Sequence, residues 1–121
     1  MPDMEGVRKL QIEDKEILII DYSDCKETEM IRRLEHAKTL VQNENKPALI
    51  LNILNDKAYL TPNFVRQSES VYAEVNQLIE KNAIIGVSQV QKMIIKGFTL
   101  LGNRKLQIFD TFDESIKYLI E

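Results

Sequence analysis

A chain of 121 residues with 44% hydrophobic side chains has the size and composition of one ordinary globular domain, read here as a single α/β domain over 1–121. With 19 acidic against 16 basic residues the net charge is −3, which excludes the basic face that nucleic acid requires and a polybasic anchor for anionic membranes. The single cysteine excludes an intrachain disulfide and a thiolate zinc site.

In chain order, Met1-Pro2-Asp3-Met4-Glu5 is acidic with no apolar stretch behind it, so no signal peptide is expected. The longest apolar runs, 17–20 and 48–51, are too short to cross a bilayer, and a cytoplasmic location with no integral membrane segment is the expectation. Leu10 and Ile12 alternate with polar residues, Asp14-Lys15-Glu16 breaks the run, and Ile17-Leu18-Ile19-Ile20 follows. This predicts an antiparallel hairpin with its first strand at the sheet edge and its second covered on both faces.

Over about 24–45 the apolar period becomes helical, with Met30, Leu34, Ala37 and Val41 on one stripe and Asp24 and Glu27 spaced as a capping box. Lys46-Pro47 ends that helix, and Ala48-Leu49-Ile50-Leu51-Asn52-Ile53 reads as a buried strand. After a loop over 54–60, Thr61-Pro62 opens a helix that carries Phe64, Val65, Val71, Tyr72, Val75, Leu78 and Ile79 to about Lys81. Ala83-Ile84-Ile85-Gly86-Val87 is the next strand. Ser88 and Gln91 form a second capping box for a helix through Val90, Met93, Ile94 and Leu100, with Gly102 as its C-cap. Leu106-Gln107-Ile108-Phe109 is the last strand, and Thr111 and Glu114 cap a helix that buries Ile116, Leu119 and Ile120. The pattern predicts a mixed, mostly parallel five-stranded sheet with an antiparallel N-terminal edge strand and four helices.

In an open α/β sheet, ligands meet the loops that leave the carboxyl ends of the strands. The candidate binding residues are therefore Asp21, Tyr22, Asn52, Asn55, Asp56, Tyr59, Thr61, Ser88 and Gln89. Asp24, Ser88 and Thr111 read first as helix caps, while Thr61 is both a cap and a neighbour of the Asn52, Asn55 and Asp56 loop. No catalytic constellation accompanies them. Gly6, Gly86, Gly97 and Gly102 make neither a phosphate loop nor a dinucleotide turn. His36 stands alone, off the stripe of its helix, and is expected to face solvent. Cys25 sits at a helix start, where the dipole lowers a thiol pKa, but no base lies near it in sequence. No cofactor and no metal are expected.

Ile17-Leu18-Ile19-Ile20-Asp21 resembles the first strand and acidic end of response-regulator receiver domains. Tyr22 then stands where a second acid is needed, Asn52 where the aspartyl phosphoacceptor is needed, and no Lys-Pro follows Phe109. A broader resemblance covers the chain from about Leu10. The segments Ile17-Leu18-Ile19-Ile20-Asp21-Tyr22-Ser23, Ala83-Ile84-Ile85-Gly86-Val87-Ser88-Gln89-Val90-Gln91-Lys92 and Phe109-Asp110-Thr111-Phe112-Asp113-Glu114-Ser115-Ile116-Lys117-Tyr118-Leu119 together resemble the SpoIIAA-like family of small bacterial STAS/SEC14-type domains.

That resemblance implies a mixed sheet flanked by helices and a role in binding proteins. It also implies, by the matching position, a phosphorylated residue at the start of the helix after the second core strand. Here that residue is Thr61, although Tyr59-Leu60-Thr61-Pro62 departs from the Asp-Ser-Ser-Gly type of sequence. The SEC14 side of the family implies an apolar ligand pocket. The expected function is a non-enzymatic binding or regulatory module that meets another protein through its strand-end loops and the helix opening at Ser88. The alternatives are a carrier for a small apolar molecule or lipid, and a phosphoswitch at Thr61. The edge strand over 7–13 offers a route to a homodimer.

Overall fold

The computed structural model describes residues 5–99 and 106–121. Its elements run β1 (Val7–Ile12), β2 (Lys15–Asp21), α1 (Glu27–Glu44), β3 (Ala48–Ile53), α2 (Pro62–Val75), β4 (Ile79–Ile85), α3 (Gln89–Thr99), β5 (Leu106–Ile108) and α4 (Phe112–Ile120). The five strands form one mixed sheet in the order β1-β2-β3-β4-β5. β1 pairs antiparallel with β2, and every later pair is parallel. This is the architecture that the alternation of strand and helix periods predicts.

Successive strand residues point to opposite faces, and both faces are covered. Leu18, Ile20, Ile50 and Ile84 lie beneath Met30 and Leu34 of α1, Phe64 and Val71 of α2, and Ile95 of α3. Ile17, Ile19, Leu49, Leu51, Ala83 and Ile85 face the other way, with Leu119 of α4 and its neighbours Ile116 and Ile120. Ile17, Ile19 and Leu51 are fully buried, and each such side chain stabilises the fold by about 1.5–3 kcal/mol. Covering on two sides is why β2 and β3 read as unbroken apolar runs.

Lys81 in β4 fixes α4 to its face. Its ammonium donates to the Tyr118 carbonyl at 2.8 Å and the Glu121 carbonyl at 2.7 Å, and lies 5.1 Å from the Tyr118 ring centroid. A cation thus satisfies the carbonyls left open at the end of a helix.

Some boundaries differ from the sequence expectation. α1 begins at Glu27, its N-cap is Lys26, and no side chain caps it. Asp24 instead takes a left-handed conformation, φ 61°, because a longer-range partner, Asn55, competes for it. α2 stops at Val75, and a 3₁₀ turn over Asn76–Leu78 leads straight into β4 at Ile79. The pairing of Ile79 with Ala48 overrides the helical spacing of Leu78 and Ile79. The expected positions Leu100 and Gly102 lie outside the described residues.

Candidate functional site

The strand order never reverses, and α1, α2 and α3 share a face. The inner strands therefore lack the topological switch point that opens a ligand crevice in doubly wound sheets. The loops at their carboxyl ends close on one another instead. Asp21 Oδ1 accepts from the Ser23 amide at 2.9 Å, and the Arg33 guanidinium donates to the Asp21 carbonyl. Asn55 Oδ1 accepts from the Asp24 amide at 3.0 Å, while Asn55 Nδ2 donates to Asp24 Oδ1 at 2.9 Å.

The expected capping box of α3 forms in both directions. The Ser88 amide donates to Gln91 Oε1 at 2.8 Å, and the Gln91 amide donates to Ser88 Oγ at 3.2 Å. Gln91 is itself buried and donates from Nε2 to the Asn55 carbonyl at 2.9 Å. Beneath this contact the loop after β4 passes so close that a Cβ on Gly86, φ +80°, would stand 2.0 Å from the Leu54 carbonyl oxygen. Glycine is required there.

Thr61 caps α2 as expected, accepting from the Phe64 amide at 3.0 Å. It also donates to Glu27 Oε1 at 2.7 Å, and Asn63 Nδ2 donates to the same oxygen at 2.8 Å. These two bonds hold the Glu27 carboxyl below its ordinary range. Asp56 and Gln89 are exposed. Tyr22 and Asn52 turn inward. Tyr22 is buried edge-on against Phe64, with ring centroids 5.3 Å apart, and burial pushes its phenol well above the usual value. Asn52, within β3, is buried under α2.

Among the described residues, the exposed large apolar side chains are Tyr59 (54%), Val90 (67%), Met93 (75%) and Phe112 (40%). Tyr59 lies in the β3–α2 loop, Val90 and Met93 in the first turns of α3, and Phe112 opens α4. Parallel strands feed all three places from their carboxyl ends, so the four residues share one end of the molecule. Val90 and Met93, apolar positions of the expected helix, face outward, and Gln91 and Ile95 occupy its buried side. Gln91 reads as polar in sequence, and only its loop partners reveal that it faces inward.

A cavity of about 70 Å³ lies between α2, α3 and the sheet. Leu54, Phe64, Ile84, Ile95 and Leu106 give it apolar walls, and Asn52, Ser68, Glu69, Tyr72 and Asn82 bring polar atoms to it. Asn52 Nδ2 donates to Asn82 Oδ1 at 2.7 Å and to the Ala83 carbonyl at 3.0 Å. The Tyr72 hydroxyl donates to Asn52 Oδ1 at 3.4 Å. Asn82 Nδ2 and Glu69 Oε1 are buried with no hydrogen-bond partner among the described residues.

Cys25 is buried, and desolvation pushes its thiol up rather than down, which corrects the expectation of an activating dipole. His36 is half-buried rather than solvent-facing, with Nε2 enclosed. Among the described residues no three His, Cys, Asp or Glu side chains gather as a metal ion requires, and no helix is long and apolar enough to cross a membrane. Compared with protein-family models, with curated proteins and with solved structures, the chain gives no match.

Proposed function

We propose that this chain is a non-enzymatic binding or regulatory module of the SpoIIAA-like, STAS type, and that it docks another protein with the carboxyl end of its sheet. One observation carries the reading: Tyr59, Val90, Met93 and Phe112 leave large apolar surface in water at that end. Large apolar side chains left exposed at one end of a folded domain are read here as an interaction surface. Several polar residues of the same loops bond one another, in the Asp24–Asn55, Thr61–Glu27 and Ser88–Gln91 pairs. They serve as a rigid frame for the apolar groups, and interfaces draw their energy from such rigidly held apolar anchors.

Paired substitution of Val90→Asp and Met93→Asp tests this. Both side chains are exposed, so stability changes by no more than about 0.5 kcal/mol, and Asp in the first turn of α3 suits the helix dipole. The protein isolated with its natural partners loses them in this variant and keeps them when Asp14, on the turn between β1 and β2, is changed to Ala. Unchanged association, together with turnover of a metabolite that disappears on Asp21→Asn or Asp56→Asn, contradicts the reading.

A further inference from the structure

The cavity beneath α2 carries an inference that does not depend on the docking surface, since none of Tyr59, Val90, Met93 and Phe112 lines it. The Ala83 carbonyl can only accept, so the Asn52 atom that faces it at 3.0 Å is Nδ2. The same nitrogen faces the side chain of Asn82 at 2.7 Å, so Asn82 must answer with its oxygen. Asn82 Nδ2, on a residue with 0% exposure at the wall of the cavity, then has only a weak interaction with the Tyr72 hydroxyl and makes no hydrogen bond of ordinary geometry, so at least one of its two hydrogens is left over. Glu69 Oε1 is another buried side-chain atom without a hydrogen-bond partner among the described residues, and its residue lines the same cavity. Each such atom has given up its hydrogen bonds to water and is costly while it stays unpaired. A wholly apolar side chain at position 82 would avoid that cost.

We propose that this cavity binds a small neutral molecule whose polar end carries both an acceptor oxygen and a donor hydrogen, an alcohol or a primary carboxamide, on a short apolar body. The acceptor takes the free Asn82 Nδ2 hydrogen, and the donor meets Glu69 Oε1. The apolar body lies against Leu54, Phe64, Ile84 and Leu106. An ammonium ion would suit Glu69 but set a donor against a donor at Asn82. A carboxylate would suit Asn82 but meet the charge of Glu69. One water needs about 10–15 Å³ of such space, so about 70 Å³ holds a body of a few heavy atoms.

The test uses the whole chain and four probes with one branched apolar body: isobutanol, isobutyramide, isobutylamine and isobutyrate. Binding is read from the NMR shift of the Asn82 side-chain amide. The alcohol and the carboxamide move that resonance saturably, and the amine and the carboxylate bind about tenfold more weakly or worse. Asn82→Leu abolishes binding of all four, read in that variant from the Asn52 side-chain amide, which lines the same cavity. Glu69 lies half-buried on α2, and glutamine has the same shape, so Glu69→Gln keeps the fold. It also removes the bar to the carboxylate, raising isobutyrate affinity about tenfold, which tests the assignment even if Asn82→Leu does not fold. Equal binding of amine and alcohol overturns the proposal. So does the absence of any shift with the four probes while the Asn82 amide hydrogens exchange magnetisation with water, since water alone then fills the space.

Discussion

Thr61 joins two helix starts through one hydroxyl, accepting from the Phe64 amide and donating to Glu27 Oε1. Thr61→Ala removes the cap of α2 and costs about 1 kcal/mol in chemical denaturation. The same bond accounts for the acid behaviour of Glu27. Its folded pKa lies below the ordinary 4.5, so the stabilisation is present above that value and is lost as pH falls through the folded pKa. Thr61→Ala, followed by NMR titration, moves the Glu27 pKa upward towards its ordinary value; an unmoved pKa contradicts the assignment. A phosphoryl group on Thr61 would replace the hydrogen given to Glu27 with negative charge beside a carboxylate, and so would separate the starts of α1 and α2. Tyr22 and Tyr72 answer to the opposite sign. Burial raises both phenols above 10.0, so the stability they support is full below that value and declines as pH rises beyond it. Phenolate absorbance from these two tyrosines should appear together with unfolding, whereas a reversible titration of the folded protein at lower pH contradicts their burial.

Elements whose signals are local were legible in the sequence. The caps at Thr61, Ser88 and Thr111 act on amides three residues away, and all three form. The stripe of Met30, Leu34, Ala37 and Val41 is buried as its spacing predicts. What escaped depended on distant partners: Asp24 is taken by Asn55 rather than by α1, and Gln91 is drawn inward by the Asn55 carbonyl, which turns Val90 and Met93 outward. The polar lining of the cavity was hidden for a related reason. Asn82 precedes the apolar run from which a strand was read, and only the pairing of β4 with β3 brings it beneath α2 beside Asn52. Gly86 shows how tightly these loops meet. Gly86→Ala forces a side chain into a left-handed conformation, at about 1–2 kcal/mol, and against the Leu54 carbonyl. The expected loss is about 2 kcal/mol or more in thermal or chemical denaturation; a neutral result means that the loops can separate.

At the scale of the whole molecule, consecutive strand order puts three helices on one face and leaves α4 to cover the other. The two ends of the sheet consequently differ. The amino-terminal end of the parallel strands carries Lys15, Glu16, Lys46 and Glu80 around a polar groove. The carboxyl end carries the exposed apolar residues on loops fixed by mutual hydrogen bonds. The outer strand β1 exposes Arg8, Lys9 and Gln11, and charged side chains of this kind discourage pairing at a sheet edge. The proposed docking therefore uses one end of the sheet rather than an edge. The most direct measurement is photo-crosslinking in the native cell, with a photoreactive side chain placed in turn at Met93, at Tyr59 and, at the other end, at Asp14. The account predicts a discrete protein adduct from positions 93 and 59 and none from 14. Adducts from position 14 alone, or equally from all three, would contradict it.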